Sequence, residues 1–88
     1  MKVTVKLFAT LTQTVSASIL NQYPQGIRSG SPFQVEVPEG CTLAELVALL
    51  DLPREIIKIT FVNGKIQELD YHLEPGDEVG IFPPIAGG

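Results

Sequence analysis

The sequence predicts a small α+β roll in which a sheet wraps over a single main helix. Segments that alternate apolar and polar residues stand near both ends of the chain, at 2–8 and 78–82, and this period of two is typical of half-buried strands. Only one segment, 42–51, has the length and periodicity of a helix that covers a sheet. Several strands with one such helix favour two packed layers.

The composition is that of one small globular domain. A chain of 88 residues buries about 60% of its unfolded surface. Hydrophobic residues make up 44% of the chain and charged residues 18%, which excludes a disordered chain. The net charge of −4 argues against nucleic-acid binding, which needs clustered Lys and Arg. An acidic surface can steer a basic protein partner toward the chain, although simple solubility explains it equally well.

Cysteine and histidine are each present once, as Cys41 and His72. A single cysteine excludes an internal disulfide and suits a reducing cytoplasm. The two residues cannot form a metal site by themselves. The N-terminus has no long apolar stretch and no segment approaches a membrane span. We therefore expect a soluble cytoplasmic protein without a metal site or membrane contact.

The first predicted strand, 2–8, directs its residues to two different faces. Val3, Val5 and Leu7 face the core, so Phe8 falls on the polar face together with the lysines. Phe8 is either an aromatic that packs at the sheet edge or part of a surface that binds a partner, and the sequence leaves both open.

The segment 9–31 has the weakest pattern. Leu11, Val15, Ile19 and Leu20 recur at a helical spacing, although several Thr and Ser residues weaken the helix propensity. Turn residues follow up to Pro32. We predict a short helix followed by an irregular loop.

The central segment carries clear local signals. Residues 33–37 alternate as a second strand, and 37–40 fit a type I turn with Pro second and Gly fourth. Thr42 and Glu45 form a capping box that begins the main helix. Its buried stripe is formed by Leu43, Leu46, Val47 and Leu50. Cys41, next to the cap, is interpreted as a structural filler, with a reactive thiol as the lesser alternative.

The last third contains three more strands. Residues 58–62 and 65–67 flank Asn63-Gly64, the pair that a type I′ hairpin favours, and 74–77 match a type II turn before the last strand at 78–82. Phe61 and Val62 are equally good core candidates, so the facing of Phe61 stays open. Acidic residues near this turn are interpreted as a solvated surface: Asp70, Glu74, Asp77 and Glu78.

The final residues, 82–88, differ from the rest of the chain. Pro83 and Pro84 lack backbone donors, so the chain should leave the sheet there as a stiff, extended arm. Five residues beyond Pro83 reach about 17 Å. Gly87 and Gly88 have no side chains, so they can thread a narrow channel and present the terminal carboxylate.

Four segments resemble the MoaD/ThiS family of sulfur carriers. They are the capped helix after Val-Pro-Glu-Gly, the Phe-Val-Asn-Gly hairpin, the Leu-Glu-Pro-Gly-Asp-Glu-Val turn and the Phe-Pro-Pro-Ile-Ala-Gly-Gly tail. The resemblance covers essentially the whole chain and is weakest at 12–32. It implies an α+β β-grasp (ubiquitin-like) roll at 1–82, with a mixed sheet of four to five strands over one main helix, followed by an extended tail at 83–88.

The same resemblance implies a function, closest to that of the small subunit of molybdopterin synthase. An E1-like adenylyltransferase of the MoeB/ThiF type would use ATP to adenylate Gly88, and a persulfide or sulfide would leave a thiocarboxylate. The tail would then enter the large, MoaE-type subunit of molybdopterin synthase and supply sulfur for the molybdenum or tungsten cofactor. The chain itself would be non-catalytic and would bind no cofactor.

The site residues implied by this resemblance lie mostly in the tail. Gly88 supplies the reacting carboxyl and Gly87 must fit the channel. The partner-binding surface would comprise Phe8, Phe61, Phe82, Pro83, Pro84, Ile85 and Ala86. Ordinary core or sheet packing remains the alternative for the phenylalanines.

Other functions also fit the sequence. The same carrier chemistry could serve thiamine thiazole, cysteine or tRNA thiolation. A ubiquitin-like modifier would join its Gly-Gly to lysines through an amide, and a purely structural domain would use the tail only for docking. An autonomous enzyme is disfavoured, because the only histidine, His72, is interpreted as an exposed turn residue outside any Ser/His/Asp set, and so small a chain leaves little room for a pocket.

Overall fold

The computed structural model describes residues 1–15, 17–24 and 26–84 of the chain. Its strands are β1 (Lys2–Leu7), β2 (Phe33–Glu36), β3 (Ile59–Val62), β4 (Lys65–Ile66) and β5 (Glu78–Phe82). Its helices are α1 (Ala17–Leu20), α2 (Leu43–Leu49) and two 3₁₀ helices at Ala9–Gln13 and Arg54–Ile56.

The five strands form one mixed sheet in the order β2-β1-β5-β3-β4. The central pair, β1 and β5, is parallel, with Val5 opposite Val79 and Leu7 opposite Ile81. All other neighbouring strands are antiparallel. The first and last strands of the chain therefore lie side by side in the middle of the sheet, as the β-grasp expectation requires.

One face of the sheet packs with α2 into a single core. The inward residues of β1 and β5 and the stripe of α2 are all buried. They are Val3, Val5, Leu7, Val79, Ile81, Leu43, Leu46, Val47 and Leu50. The expected facing of the first strand is confirmed.

The capping box at the start of α2 is present with both of its hydrogen bonds. The Thr42 hydroxyl accepts a hydrogen bond from the Glu45 amide at 3.2 Å, and the Glu45 carboxylate accepts one from the Thr42 amide at 3.1 Å. The helix ends earlier than the pattern predicts, because Leu50 is already its C-cap and Asp51 adopts a positive φ of 60°.

Thr42→Ala should lower the free energy of unfolding by about 1 kcal/mol, because it leaves the Glu45 amide without its capping acceptor. For a domain of this size that corresponds to a fall in Tm of about 4–8 °C. Thermal unfolding followed by circular dichroism measures it. Thr12→Ala is the matched control, since the Thr12 hydroxyl makes only a long 3.4 Å bond to Ala9. Equal Tm values for the two variants would contradict the role of the cap.

The segment expected as one short helix is two shorter elements. A 3₁₀ helix at Ala9–Gln13 ends at Thr14, whose hydroxyl and amide both donate to the Leu11 carbonyl, and α1 follows separately. The predicted apolar positions Leu11, Val15 and Ile19 are nevertheless buried in the core. Leu20, the fourth position of that spacing, is half-buried against the core. The prediction of one continuous helix was wrong.

The loop after α1 forms hydrogen bonds with the end of β1 and with the first residue of the 3₁₀ helix that follows it. Gly30 donates its amide to the Leu7 carbonyl at 2.8 Å, and the Ser29 hydroxyl accepts a hydrogen bond from the Ala9 amide at 2.9 Å. At the free edge of β2, the Tyr23 hydroxyl donates to the Gln34 carbonyl. Burial raises the pKa of the Tyr23 hydroxyl. The long segment thus covers an otherwise open strand edge.

Two of the three predicted turns have the expected type. Asn63 and Gly64 both have positive φ, as a type I′ hairpin requires, and Asp77 donates its amide to the Glu74 carbonyl across the expected type II turn. The turn before α2 differs from the type I prediction. It runs from Pro38 to Cys41, because the Cys41 amide bonds the Pro38 carbonyl and the glycine stands third in the turn with φ of 77°.

Candidate functional site

Three of the residues predicted to bind a partner meet on the sheet face opposite α2. In the register, Phe61 lies opposite Gly80 and Phe82 lies opposite Ile59, so the side chains of these residues share the outer face. Phe8 directly follows β1 and its amide donates to the Ile81 carbonyl at 3.2 Å, which places it beside the end of β5. The pairing of β3 with β5 also decides the facing of Phe61, since its neighbour Val62 is buried in the core.

The three phenylalanine rings form one cluster. The rings of Phe8 and Phe82 stack with their centroids 4.0 Å apart and their planes 6° from parallel. Phe61 meets the other side of the cluster edge-on, with its centroid 5.4 Å from that of Phe82. All three side chains are half-buried. Rings that are packed against each other but remain accessible are suited to anchor a protein partner, because little side-chain entropy is lost on binding.

A groove of about 450 Å³ opens between these rings on the outer face. Gly80 lies within it, flanked by the rings of Phe8, Phe61 and Phe82. Lys6 also borders the groove, as does Glu78, so one cation and one anion accompany an otherwise apolar surface.

Two apolar residues of this outer face, Ile59 of β3 and Ile66 of β4, were not among the predicted site residues. Ile66 of β4 is 65% exposed and pairs with Phe61, which extends the apolar surface to the sheet edge. A signal for it was present in the sequence. A two-residue Asn63-Gly64 loop pairs Val62 with Lys65 and Phe61 with Ile66, so an outward Phe61 implies an outward Ile66.

The tail begins where the sheet ends. The last interstrand bond of β5 in this region runs from the Lys58 amide to the Phe82 carbonyl at 2.8 Å. Pro83 is half-buried and Pro84 is exposed. Neither has a backbone N–H that could continue the hydrogen bonds of the sheet. The remaining predicted site residues lie outside the described residues: Ile85, Ala86, Gly87 and Gly88.

The sequence suggested that the acidic residues near the last turn form one solvated surface, but one of them is buried. Asp77 is only 6% exposed, and its carboxylate accepts hydrogen bonds from the Asn63 side chain at 3.0 Å and the Glu74 amide at 2.9 Å. Asn63 in turn accepts from the Glu78 amide at 3.0 Å. Asp77 therefore joins the β3–β4 hairpin to the start of β5, whereas Asp70, Glu74 and Glu78 are exposed.

The described part of the chain contains no cluster of side chains suited to hold a metal ion. Within residues 1–15, 17–24 and 26–84, no three His, Cys, Asp or Glu side chains are grouped to hold a metal ion. His72 is exposed, and its Nδ1 lies 3.0 Å from the Gly40 carbonyl oxygen. Among the same residues, no helix has the length and apolar character needed to cross a bilayer.

Cys41 lies in the core, as the filler interpretation expects. It is 2% exposed, and burial raises the pKa of its thiol, which the Glu45 carboxylate raises further. A neighbouring helix N-terminus would lower the thiol pKa, but here desolvation and the carboxylate act in the opposite direction.

Cys41 should therefore react slowly with a disulfide thiol reagent at pH 8, because the folded protein offers little thiolate and little access. The reaction is followed by absorbance, with the same protein in guanidinium chloride as the control, where one thiol per chain should react promptly. Rapid stoichiometric reaction of the folded protein would show that the thiol is accessible and would contradict its role in the core.

The comparisons with known proteins identify the family. The model of the ThiS family matches residues 5–88, which is almost the whole sequence. The chain belongs to the ThiS family. No curated protein matches the sequence significantly.

Several solved structures share the fold of this ThiS-family chain. SAMP1 of Haloferax volcanii, small archaeal modifier protein 1, is 23% identical, with 100% of both chains covered and a TM-score of 0.63. A Pyrococcus furiosus protein assigned as subunit 1 of a molybdopterin converting factor is 26% identical, with 97% of this chain and 99% of that chain covered and a TM-score of 0.63.

A third similar structure contains two different subunits. It is the complex of subunits 1 and 2 of the molybdopterin-converting factor of Helicobacter pylori, with 20% identity, 100% coverage of both chains and a TM-score of 0.58. These likenesses confirm the β-grasp, ubiquitin-like fold and the MoaD/ThiS resemblance. The ThiS-family chain is therefore a ubiquitin-fold member of a family of sulfur carriers.

Proposed function

We propose that this chain carries sulfur on its C-terminal Gly88 and donates it in the biosynthesis of molybdopterin. The observation that carries the proposal is the family match over residues 5–88, which includes the Pro-Pro lead-in and the terminal Gly-Gly. The Pyrococcus and Helicobacter relatives named as molybdopterin converting factor subunits favour this acceptor over a thiazole, cysteine or tRNA.

The chemistry begins with activation of the terminal carboxylate. A carboxylate is a poor electrophile, so an E1-like adenylyltransferase joins it to the α-phosphate of ATP and releases pyrophosphate. Hydrosulfide then attacks the acyl carbon, the bond from carbon to the AMP oxygen breaks, and AMP leaves. The product is a thiocarboxylate on Gly88. If the donor is a persulfide, its attack releases AMP and leaves an acyl disulfide. A further thiol then attacks the donor's sulfur, the S–S bond breaks, the thiol forms a disulfide with the donor, and the same thiocarboxylate is released.

The outer sheet face that carries Phe8, Phe61 and Phe82, here the aromatic face, supplies the contact surface that this reaction needs from the folded domain. Phe82 stacks on Phe8 immediately before Pro83, so a partner that receives the tail also meets the ring cluster. The rings provide apolar contact area, and the two prolines limit the conformations that the arm loses on insertion. The large subunit of a molybdopterin synthase is the partner proposed for this face, by analogy with the two-subunit Helicobacter complex.

A second candidate is favoured by one comparison. SAMP1 is named as a modifier protein, and it resembles this chain over its full length. As a modifier, the activated Gly88 would be attacked by a lysine amine, with loss of AMP, to form an amide. Both functions share the adenylation step and differ only in the nucleophile that follows.

Intact-protein mass spectrometry distinguishes the two functions. The full chain is incubated with a cognate E1-like enzyme, ATP and a sulfide donor. We expect a mass gain equal to the replacement of one oxygen by sulfur, located on the C-terminal peptide. Adenylation followed by protein conjugates without a sulfur gain would instead support the modifier. No change at Gly88 under any of these conditions would overturn both functions.

A further inference from the structure

Gly80 is a glycine that the fold itself does not require. It lies inside β5 with φ outside the left-handed region, so its backbone conformation is open to any residue. A Cβ built on it would meet the rings of Phe8 and Phe82 at 3.7 Å and the Phe61 Cβ at 3.9 Å, all ordinary van der Waals distances. A glycine in a strand interior weakens the strand, and it often marks a place that another group approaches closely.

The missing side chain produces a hollow in the aromatic face. The hollow is the part of the 450 Å³ groove that lies over Gly80, with Phe8 and Phe82 on one side and Phe61 on the other. In the register Gly80 stands between Lys6 of β1 and Phe61 of β3, so it occupies the middle of the outer face. A side chain at this position would project directly into the groove.

We propose that this hollow receives one apolar side chain of the large partner subunit as the anchor of the complex. The inference rests on the proposed function, which supplies that subunit as the partner. The hollow is the expected point of contact, because Phe82 forms one of its walls and directly precedes Pro83 and the tail. A subunit that takes the tail into its active site covers this part of the face, and a buried apolar anchor in a ring-lined pocket is the arrangement that dominates binding energy.

Two charged residues border the hollow and indicate which charges the partner carries around the anchor. Lys6 and Glu78 line the same groove, and within the described residues neither forms an ion pair. The matching surface of the partner therefore presents an acidic group near Lys6 and a basic group near Glu78, around the apolar side chain. Such flanking charges fix the orientation of a complex more than they add to its affinity.

The test fills the hollow with increasing volume. Gly80→Ala and Gly80→Val are compared with the unaltered full chain for binding to the purified large subunit by titration calorimetry, with Tm measured for each. We expect the Tm of Gly80→Ala to stay equal or rise, because alanine loses less conformational freedom on folding than glycine does and its Cβ fits at ordinary van der Waals distances. We expect a loss of affinity that grows with volume and reaches at least about tenfold for Gly80→Val. A position that served only the fold would not lose binding while gaining stability.

Gln34→Val is the matched control, because it adds a branched apolar side chain to an exposed position of β2 on the same sheet. It should bind the large subunit like the unaltered chain. If Gly80→Val also binds with unchanged affinity, the hollow is not the anchor site, while the sulfur-carrier function stands. If the unaltered chain itself does not bind the large subunit, the proposed partner is wrong and the anchor proposal fails with it. If mass spectrometry finds no sulfur on Gly88 but the Gly80 variants still lose affinity for the large subunit, only the proposed sulfur chemistry is overturned.

Discussion

Deletion of Gly88 should abolish thiocarboxylate formation and leave Tm unchanged. The deletion moves the reacting carboxylate back along the arm by about 3.3–3.6 Å. A misplacement of only about 1 Å in an active site can reduce a rate about 100-fold, so the expected loss is at least of that size. Gly88→Ala should act in the same direction, because a methyl group then stands beside the reacting carbon. Intact-mass analysis of the time course measures the rate, and thermal unfolding measures the stability.

Gly26→Ala provides the matched change at a distant glycine. An added Cβ at Gly26 meets nothing within 4 Å, but φ of 79° strains any other residue there. This variant should lose stability and keep the rate of thiocarboxylate formation, the reverse of the Gly88 variants. A Gly88 deletion that is thiocarboxylated at the normal rate would exclude Gly88 as the reacting residue.

Phe82→Ala is expected to weaken binding of the large subunit by about tenfold to 100-fold. Phe82 contacts both other rings of the cluster, so its removal eliminates the stack with Phe8 and the edge contact with Phe61. Central aromatic anchors typically contribute about 2 kcal/mol or more to an interface. Because the ring is half-buried, we also expect a loss of about 1–3 kcal/mol in the free energy of unfolding. Titration calorimetry and chemical denaturation measure the two effects separately.

Tyr71→Ala separates affinity from stability in this experiment. Tyr71 is a half-buried aromatic beside the start of α2, where its carbonyl accepts a hydrogen bond from the Leu43 amide. It should lose stability comparably and retain affinity for the large subunit. Equal losses of affinity in both variants would mean that binding responds to stability and not to the aromatic face.

Several features were predictable because their determinants lie close together in the sequence. The Thr42–Glu45 capping box, the Asn63-Gly64 hairpin and the type II turn at 74–77 each depend on about four residues. The facing of β1 followed from the period of two, since adjacent residues of a strand point in opposite directions. The resemblance to the family used these local motifs but rested mainly on the Phe-Pro-Pro-Ile-Ala-Gly-Gly tail.

The candidate site was only partly predictable. Phe8 was expected on the polar face of its strand and Phe82 in the partner-binding surface, but their stacking depends on the parallel pairing of β1 with β5, which joins residues from opposite ends of the chain. The buried role of Asp77 depends on Asn63 in another turn, so composition alone suggested an exposed carboxylate.

The sequence by itself determined the types of most elements, the faces of the alternating strands and the character of the tail. Tertiary structure alone decided that Phe61 faces outward, that Ile66 therefore extends the apolar face and that Gly80 lines a groove between the phenylalanine side chains. The physical reason is that an apolar residue in a strand of ambiguous pattern, such as Phe61 beside Val62, is placed by its pairing partners. A glycine in a strand likewise becomes a hollow only when the neighbouring strands surround it with larger side chains.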